Sequence, residues 1–241
     1  MLDPHARQAV ERITREAQEL FGIDLVCLAL YGSAAGEDFV PGKSDLNLAI
    51  VLKEVRFEHL RALQARLGGW HEVGAATPLL LDHDSLSRGR DVFPMEFQDI
   101  KEMHTLLAGE DVFAGLQIDW RHLRYQAEHE VRGKLLRLRA LYAEVGADGE
   151  RLQRLLVDSV KTFIIVMRGL IRLRERASVT AYGDVLSQFE ARTSAAFPTM
   201  HFLLQVKLGR QKWPADAEAL MRSYLSEVQR LTDLVDVIVQ D

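Results

Sequence analysis

The sequence predicts an α/β (α+β) N-terminal domain, residues 1–118, followed by an all-α helical bundle, residues 119–241. Three observations carry this reading. Apolar strand-like stretches alternate with helical periodicity through the first half of the chain. After about Ile118 the strand signals vanish, and long helical stripes joined by short turns take over, which favours an up-and-down bundle. A chain of 241 residues that is 48% hydrophobic and 27% charged has the composition of a globular protein with a sizeable core.

Asp3-Pro4 reads as a helix cap followed by a first-turn proline. Val10, Ile13, Ala17, Leu20 and Phe21 recur at helical spacing, and Gly22 ends that helix. Asp24 to Leu30 is an apolar strand, and Asp45 to Leu52 is the next. Phe57 to Leu67 is helical and stops at Gly68-Gly69. Trp70 to Val73 and Thr77 to Leu81 read as short strands separated by Gly74. Phe93-Pro94 marks a break within the less regular stretch Asp91 to Leu107. Beyond it, Leu135, Leu138, Tyr142 and Val145 form one stripe, and Leu152 to Leu170 forms a second on a long helix ending near Arg176. Asp184 to Phe189 is a shorter helix, and Ala217 to Ile238 is the last.

A formal net charge of −5 gives no reason to expect nucleic acid as a partner. The single cysteine, Cys27, sits in an apolar strand and reads as a small buried hydrophobe. The N-terminus lacks the apolar run of a signal peptide, and no stretch has the length of a transmembrane span. A cytoplasmic protein without a membrane partner is the expectation.

The most informative stretch is Leu28-Ala29-Leu30-Tyr31-Gly32-Ser33-Ala34-Ala35-Gly36, followed by Ser44-Asp45-Leu46-Asn47-Leu48. It reads as a strand, a tight Gly-Ser turn, a short helix start and a second strand. Glycine lets backbone approach a phosphate closely, and the amides of a helix start favour an anion. Residues two apart on a strand share a face, so Asp45 and Asn47 stand side by side where the turn could hold phosphates. Two carboxylates there would grip magnesium, and this chain offers one carboxylate and one amide.

At these residues the chain resembles the DNA polymerase beta-like nucleotidyltransferase superfamily. Its pattern is an apolar strand, Gly-Ser, a short helix, then Asp-x-Asp or Asp-x-Glu on the next strand. The likeness is greatest to the bacterial branch that includes kanamycin nucleotidyltransferase and the streptomycin adenylyltransferases, in which a compact α/β domain precedes a helical bundle. The motif is confined to residues 28–52, whereas the organisation covers most of the chain. The resemblance implies a nucleotidyltransferase-like fold and the transfer of a nucleoside monophosphate from a nucleoside triphosphate to an acceptor hydroxyl, with Mg2+. By the same likeness Gly32 and Ser33 hold the phosphates, and Asp45 and Asn47 are the catalytic and metal-binding pair. Asn47 departs from the family's second acid; its amide oxygen can ligate a cation but brings no charge. The alternative is an inactive descendant that binds nucleotide or serves as a scaffold, including a homo-oligomer formed through the helices.

The family's third carboxylate comes from a later strand. Here the strand before Asp82 is wholly apolar, so Asp82, Glu96 and Asp99 are the candidates. Tyr31 reads as a core aromatic or as a platform for a base. Arg168, Arg172 and Arg176, spaced four apart, read as a solvated helix edge or as a triphosphate-binding stripe.

Overall fold

A computed structural model of the chain describes residues 2–146, 148–175 and 181–238. It divides into two compact units, Met1–Asp119 and Trp120–Asp241.

The first unit opens with α1 (Pro4–Phe21). The Asp3 carboxylate accepts from the Ala6 amide at 2.9 Å, and Pro4 stands in the first turn, where its missing N–H costs nothing. Four strands follow: β1 (Leu25–Tyr31), β2 (Asn47–Leu52), β3 (Leu79–Asp82) and β4 (His104–Gly109). They form one mixed sheet in the order β3-β2-β1-β4. β1 runs antiparallel to both β2 and β4, and β3 runs parallel to β2.

Alternation sorts the two central strands onto two cores. Leu28, Leu30, Leu48, Ile50 and Leu52 pack with Ile13 and Ala17 of α1 and with Leu63 and Trp70 of α2 (Phe57–Glu72). Cys27, Ala29, Ala49 and Val51 pack instead with Leu86 of α3 (His83–Arg88) and with Phe97 and Ile100 of α4 (Pro94–Glu102). Both faces of β2 are therefore covered, which is why that strand is an unbroken apolar run after Asn47.

The structure corrects one expectation here. Residues 70–72 are not a strand, because α2 continues through Gly68-Gly69 to Glu72. Trp70 is fully buried, and its indole Nε1 donates to Glu16 Oε2 at 2.8 Å. Glu16 also accepts from Arg12 at 2.8 Å. A Cβ at Gly69 would lie 3.0 Å from Arg12 Nη2, so the glycine leaves room for that guanidinium between the helices. Burial of one large aromatic outweighs the roughly 1 kcal/mol that each helical glycine loses.

The second unit contains α5 (Trp120–Val145), α6 (Gly149–Glu175), α7 (Tyr182–Thr193), α8 (Pro198–Lys207) and α9 (Ala217–Ile238). Helix α6 is central and packs on the other four. Its apolar stripe includes Leu152, Leu156, Val160, Phe163, Met167 and Leu170, all buried. Phe163 meets Tyr224 of α9 edge to face at 6.0 Å, and Tyr224 Oη shares a 2.9 Å hydrogen bond with Ser159 Oγ. The buried Glu227 carboxylate accepts from the Thr199 and Met200 amides at 2.7 and 2.9 Å, closing the start of α8 from α9. Arg168 and Arg172 are only 3% and 1% exposed, which overturns a solvated helix edge at those two positions. Arg176 lies outside the described residues.

Trp70→Ala is expected to destabilise the protein by about 3–5 kcal/mol, read as a lowered urea midpoint. Trp70→Phe keeps most of the buried area and loses the donor to Glu16, so its loss should be the smaller.

Candidate functional site

The geometry of the motif begins with strand pairing. Tyr31, the last residue of β1, is the Cα partner of Asn47, the first residue of β2. Alternation places Asn47 on the face of Ala49 and Val51, and Tyr31 on the face of Ala29, which is the side covered by α3 and α4. After Tyr31 the chain turns at once. Gly32 has φ +72°, a left-handed conformation that side chains rarely adopt, and opens a 3-10 turn over Gly32–Ala35. A Cβ at Gly32 would stand 3.3 Å from Asn47 Nδ2, so the turn lies directly against the Asn47 amide.

Gly32 and Asn47 are thus neighbours. Ser33 is 4% exposed, with its carbonyl accepting from the Gly36 amide at 3.2 Å. Ser44 Oγ accepts from the Val40 amide at 3.0 Å and closes the 40–44 turn that delivers Asp45. Asp45 precedes β2 and is exposed. Its carboxylate makes no ion pair or side-chain hydrogen bond among the described residues. It borders a cleft of about 720 Å³, which Arg12, Arg15 and Lys43 also line.

The structure separates the three candidates for a third acid. Asp82 is level with Leu52, at the opposite end of β2 from Asn47. Five residues of strand put about 17 Å between them. Asp82 instead caps α3, accepting from the Ser85 hydroxyl at 2.6 Å and the Ser85 amide at 2.8 Å, and these bonds hold its carboxyl below the usual range. Glu96 lies in the first turn of α4 and is exposed. Burial pushes the Tyr31 phenol up, and the Glu96 charge pushes it further. Asp99, three residues on, has no such link to Tyr31.

One neighbour of the motif went unread in the sequence. His104, at the start of β4, is the Cα partner of Tyr31 on its other side. Its Nδ1 faces the Ile100 carbonyl at 2.8 Å and its Nε2 faces Asp111 Oδ1 at 3.0 Å. Burial would raise the Asp111 carboxyl, yet bonds from the Ala114 amide, His104 and the Phe113 amide hold it low. No spacing marks a lone histidine out for this position. The signal is the sheet register itself.

Magnesium, which the resemblance implies, takes oxygen donors. Asp45 offers an unengaged carboxylate, and Asn47 an amide oxygen. Among the described residues no three His, Cys, Asp or Glu side chains gather as a metal cluster. One carboxylate and one amide fall short of the bridging carboxylates that a two-metal centre uses, and the residues lining the cleft beside Asp45 do not include Gly32, Ser33 or Asn47.

No sequence-family model matches the chain, and no curated protein sequence matches it. Among solved structures the chain is similar to spectinomycin adenyltransferase AAD(9) from Enterococcus faecialis, determined with ATP and spectinomycin. The TM-score is 0.64 at 8% identity, over 94% of this chain and 99% of that one. A likeness at that identity establishes the fold: a nucleotidyltransferase-like α/β region with a small mixed sheet, followed by a helical region. Among the described residues no helix is long and apolar enough to cross a membrane.

Gly32→Ala forces a side chain into a left-handed backbone and against Asn47. A loss of about 1–2 kcal/mol in chemical denaturation is expected. Asp82→Ala removes a helix cap and is expected to cost about 1 kcal/mol at neutral pH. The Asp82 carboxyl is depressed in the folded state, so its contribution is present above the unfolded value near 3.9 and disappears as pH falls through the folded value. The stabilities of wild type and Asp82→Ala should therefore converge in acid.

Proposed function

We propose that the chain is a nucleotidyltransferase that moves a nucleoside monophosphate from a nucleoside triphosphate to an acceptor hydroxyl. One observation carries this reading. The Tyr31–Asn47 register sets the Gly32 turn against Asn47. The fold shared with an adenyltransferase solved with ATP and spectinomycin supports it.

In this reading the Gly32-Ser33 turn receives the phosphates through its backbone amides, since the first amides of a helical turn have no partner within it. Asp45 and Asn47 would hold a magnesium ion, which would offset the negative charge of the triphosphate. Glu96 takes the proton from the acceptor hydroxyl. The acceptor oxygen forms its bond to the α-phosphorus, the bond from that phosphorus to the bridging oxygen breaks, and pyrophosphate leaves. Tyr31, whose phenol burial keeps protonated, stands as a hydrogen-bond donor or stacking surface beside that reaction.

A second reading is favoured by the amide at position 47. A neutral ligand weakens the cation's hold, which suits binding of nucleotide without transfer. Two measurements separate the readings: calorimetry with ATP and magnesium, and pyrophosphate release across a panel of hydroxyl-bearing acceptors. Transfer requires both binding and pyrophosphate release. Glu96→Gln should then keep ATP binding and lose at least about a hundredfold in rate. Asn47→Asp should tighten magnesium binding in either reading. ATP binding without pyrophosphate release for any acceptor would leave the nucleotide-binding reading. Absence of binding at millimolar ATP would leave a scaffold on this fold.

A further inference from the structure

The second unit carries a groove that the proposed reaction does not use. It lies between the C-terminal part of α5 and the N-terminal part of α6 and has a volume of about 500 Å³. Leu141, Val145, Leu155 and Phe163 line its floor. Two hydroxyls among them are already committed. Ser159 Oγ bonds the Leu156 carbonyl and Tyr224 Oη, at 3.0 and 2.9 Å, and Thr162 Oγ1 donates to the Ser159 carbonyl at 2.7 Å. The floor therefore makes no polar demand on an occupant.

The rim is cationic. Arg137, Arg151 and Arg154 border the groove, are exposed, and make no ion pair among the described residues. The remaining charges of the rim are matched. Lys134 pairs with Glu130 at 2.7 Å, and Asp158 lies 3.7 Å from Lys207. Three uncompensated guanidinium groups thus stand over an apolar floor, in a chain whose net charge is −5. Like charges gathered at a concave apolar surface repel one another until an anion neutralises them.

We infer that this groove binds a small amphipathic anion: a free medium-chain carboxylate whose aliphatic body lies on Leu141, Val145, Leu155 and Phe163 and whose head group meets the arginines. Its size decides against a larger partner. About 500 Å³ falls within the range of small-molecule pockets. Arginine matches a carboxylate with two parallel N–H bonds, which fixes the head group while the tail supplies burial. The groove lies wholly within one unit, and the proposal stands apart from nucleotide transfer.

Dodecanoate, held below its micelle concentration, is the probe, and calorimetry on the full chain without nucleotide is the measurement. One molecule should bind per chain, and dodecanol should bind at least about tenfold more weakly. Arg151→Ala with Arg154→Ala changes only exposed side chains, so the fold, followed by circular dichroism, should persist while dodecanoate affinity falls at least about tenfold. Raised salt should weaken binding in the wild type more than in that variant. Leu155→Glu, which sets a carboxylate on the floor, should abolish binding. No binding up to about 1 mM, or equal affinity in the double variant, would overturn the proposal. So would capture of anionic phospholipid vesicles or of polyglutamate in place of stoichiometric dodecanoate.

Discussion

The antiparallel register of β1 and β2 is the constraint on which the rest of the first unit depends. Pairing Tyr31 with Asn47 fixes which residues of both strands face which core. A slip of β2 by one residue would turn Leu48 and Ile50 away from α1 and α2 and set Asn47 on the side they leave. The same pairing ends β1 where the Gly32 turn meets Asn47. The apolar packing that stabilises the sheet and the placement of Asn47 are therefore a single arrangement. Gly32 completes it, because only a residue free of Cβ takes φ +72° without entering the space of the Asn47 amide.

This also explains what was legible in the sequence. Unbroken apolar runs at residues 25–30 and 48–52 marked the two strands directly, since both central strands are covered on both sides. The long stripes of α6 and α9 were equally plain, because helices that pack on several neighbours need broad apolar faces. The helix running through Gly68-Gly69 was not legible. Local propensity argues for a stop there, and the opposing term is the burial of Trp70 against α1, some fifty residues away in sequence. Arg168 and Arg172 mislead for a related reason. Charge at helical spacing predicts solvent, and burial is decided by what the tertiary structure brings over the helix.

The acids show the same division. Asp82, Glu96 and Asp99 were indistinguishable as letters. Parallel pairing of β3 with β2 carries Asp82 to the far end of the sheet, where it serves a helix start. Residues 83–93 then return the chain, and α4 opens with Glu96 in its first turn on the sheet face that Tyr31 shares. His104 follows from the same return, because β4 pairs with β1 on the side away from β2. A residue's nearness to the motif is set by strand order, which periodicity does not encode.

Asn47 governs what the site can do chemically. An aspartate at this position would bring a second negative charge beside Asp45, and bound cations would be needed to offset the repulsion. In the proposed reading an amide removes that repulsion, so the two side chains would have less to gain from a metal. The cost of assembling the site shifts from the protein to the ligand, which must supply most of the anionic oxygens itself. A triphosphate does this and a bare acceptor does not. In the proposed transfer, cation binding would therefore depend on the nucleotide, and Asp45 and Asn47 would be occupied only as phosphate reaches the Gly32 turn. Free magnesium, with no phosphate to share, meets one carboxylate and one amide, a donor set weak for a cation that holds its water firmly.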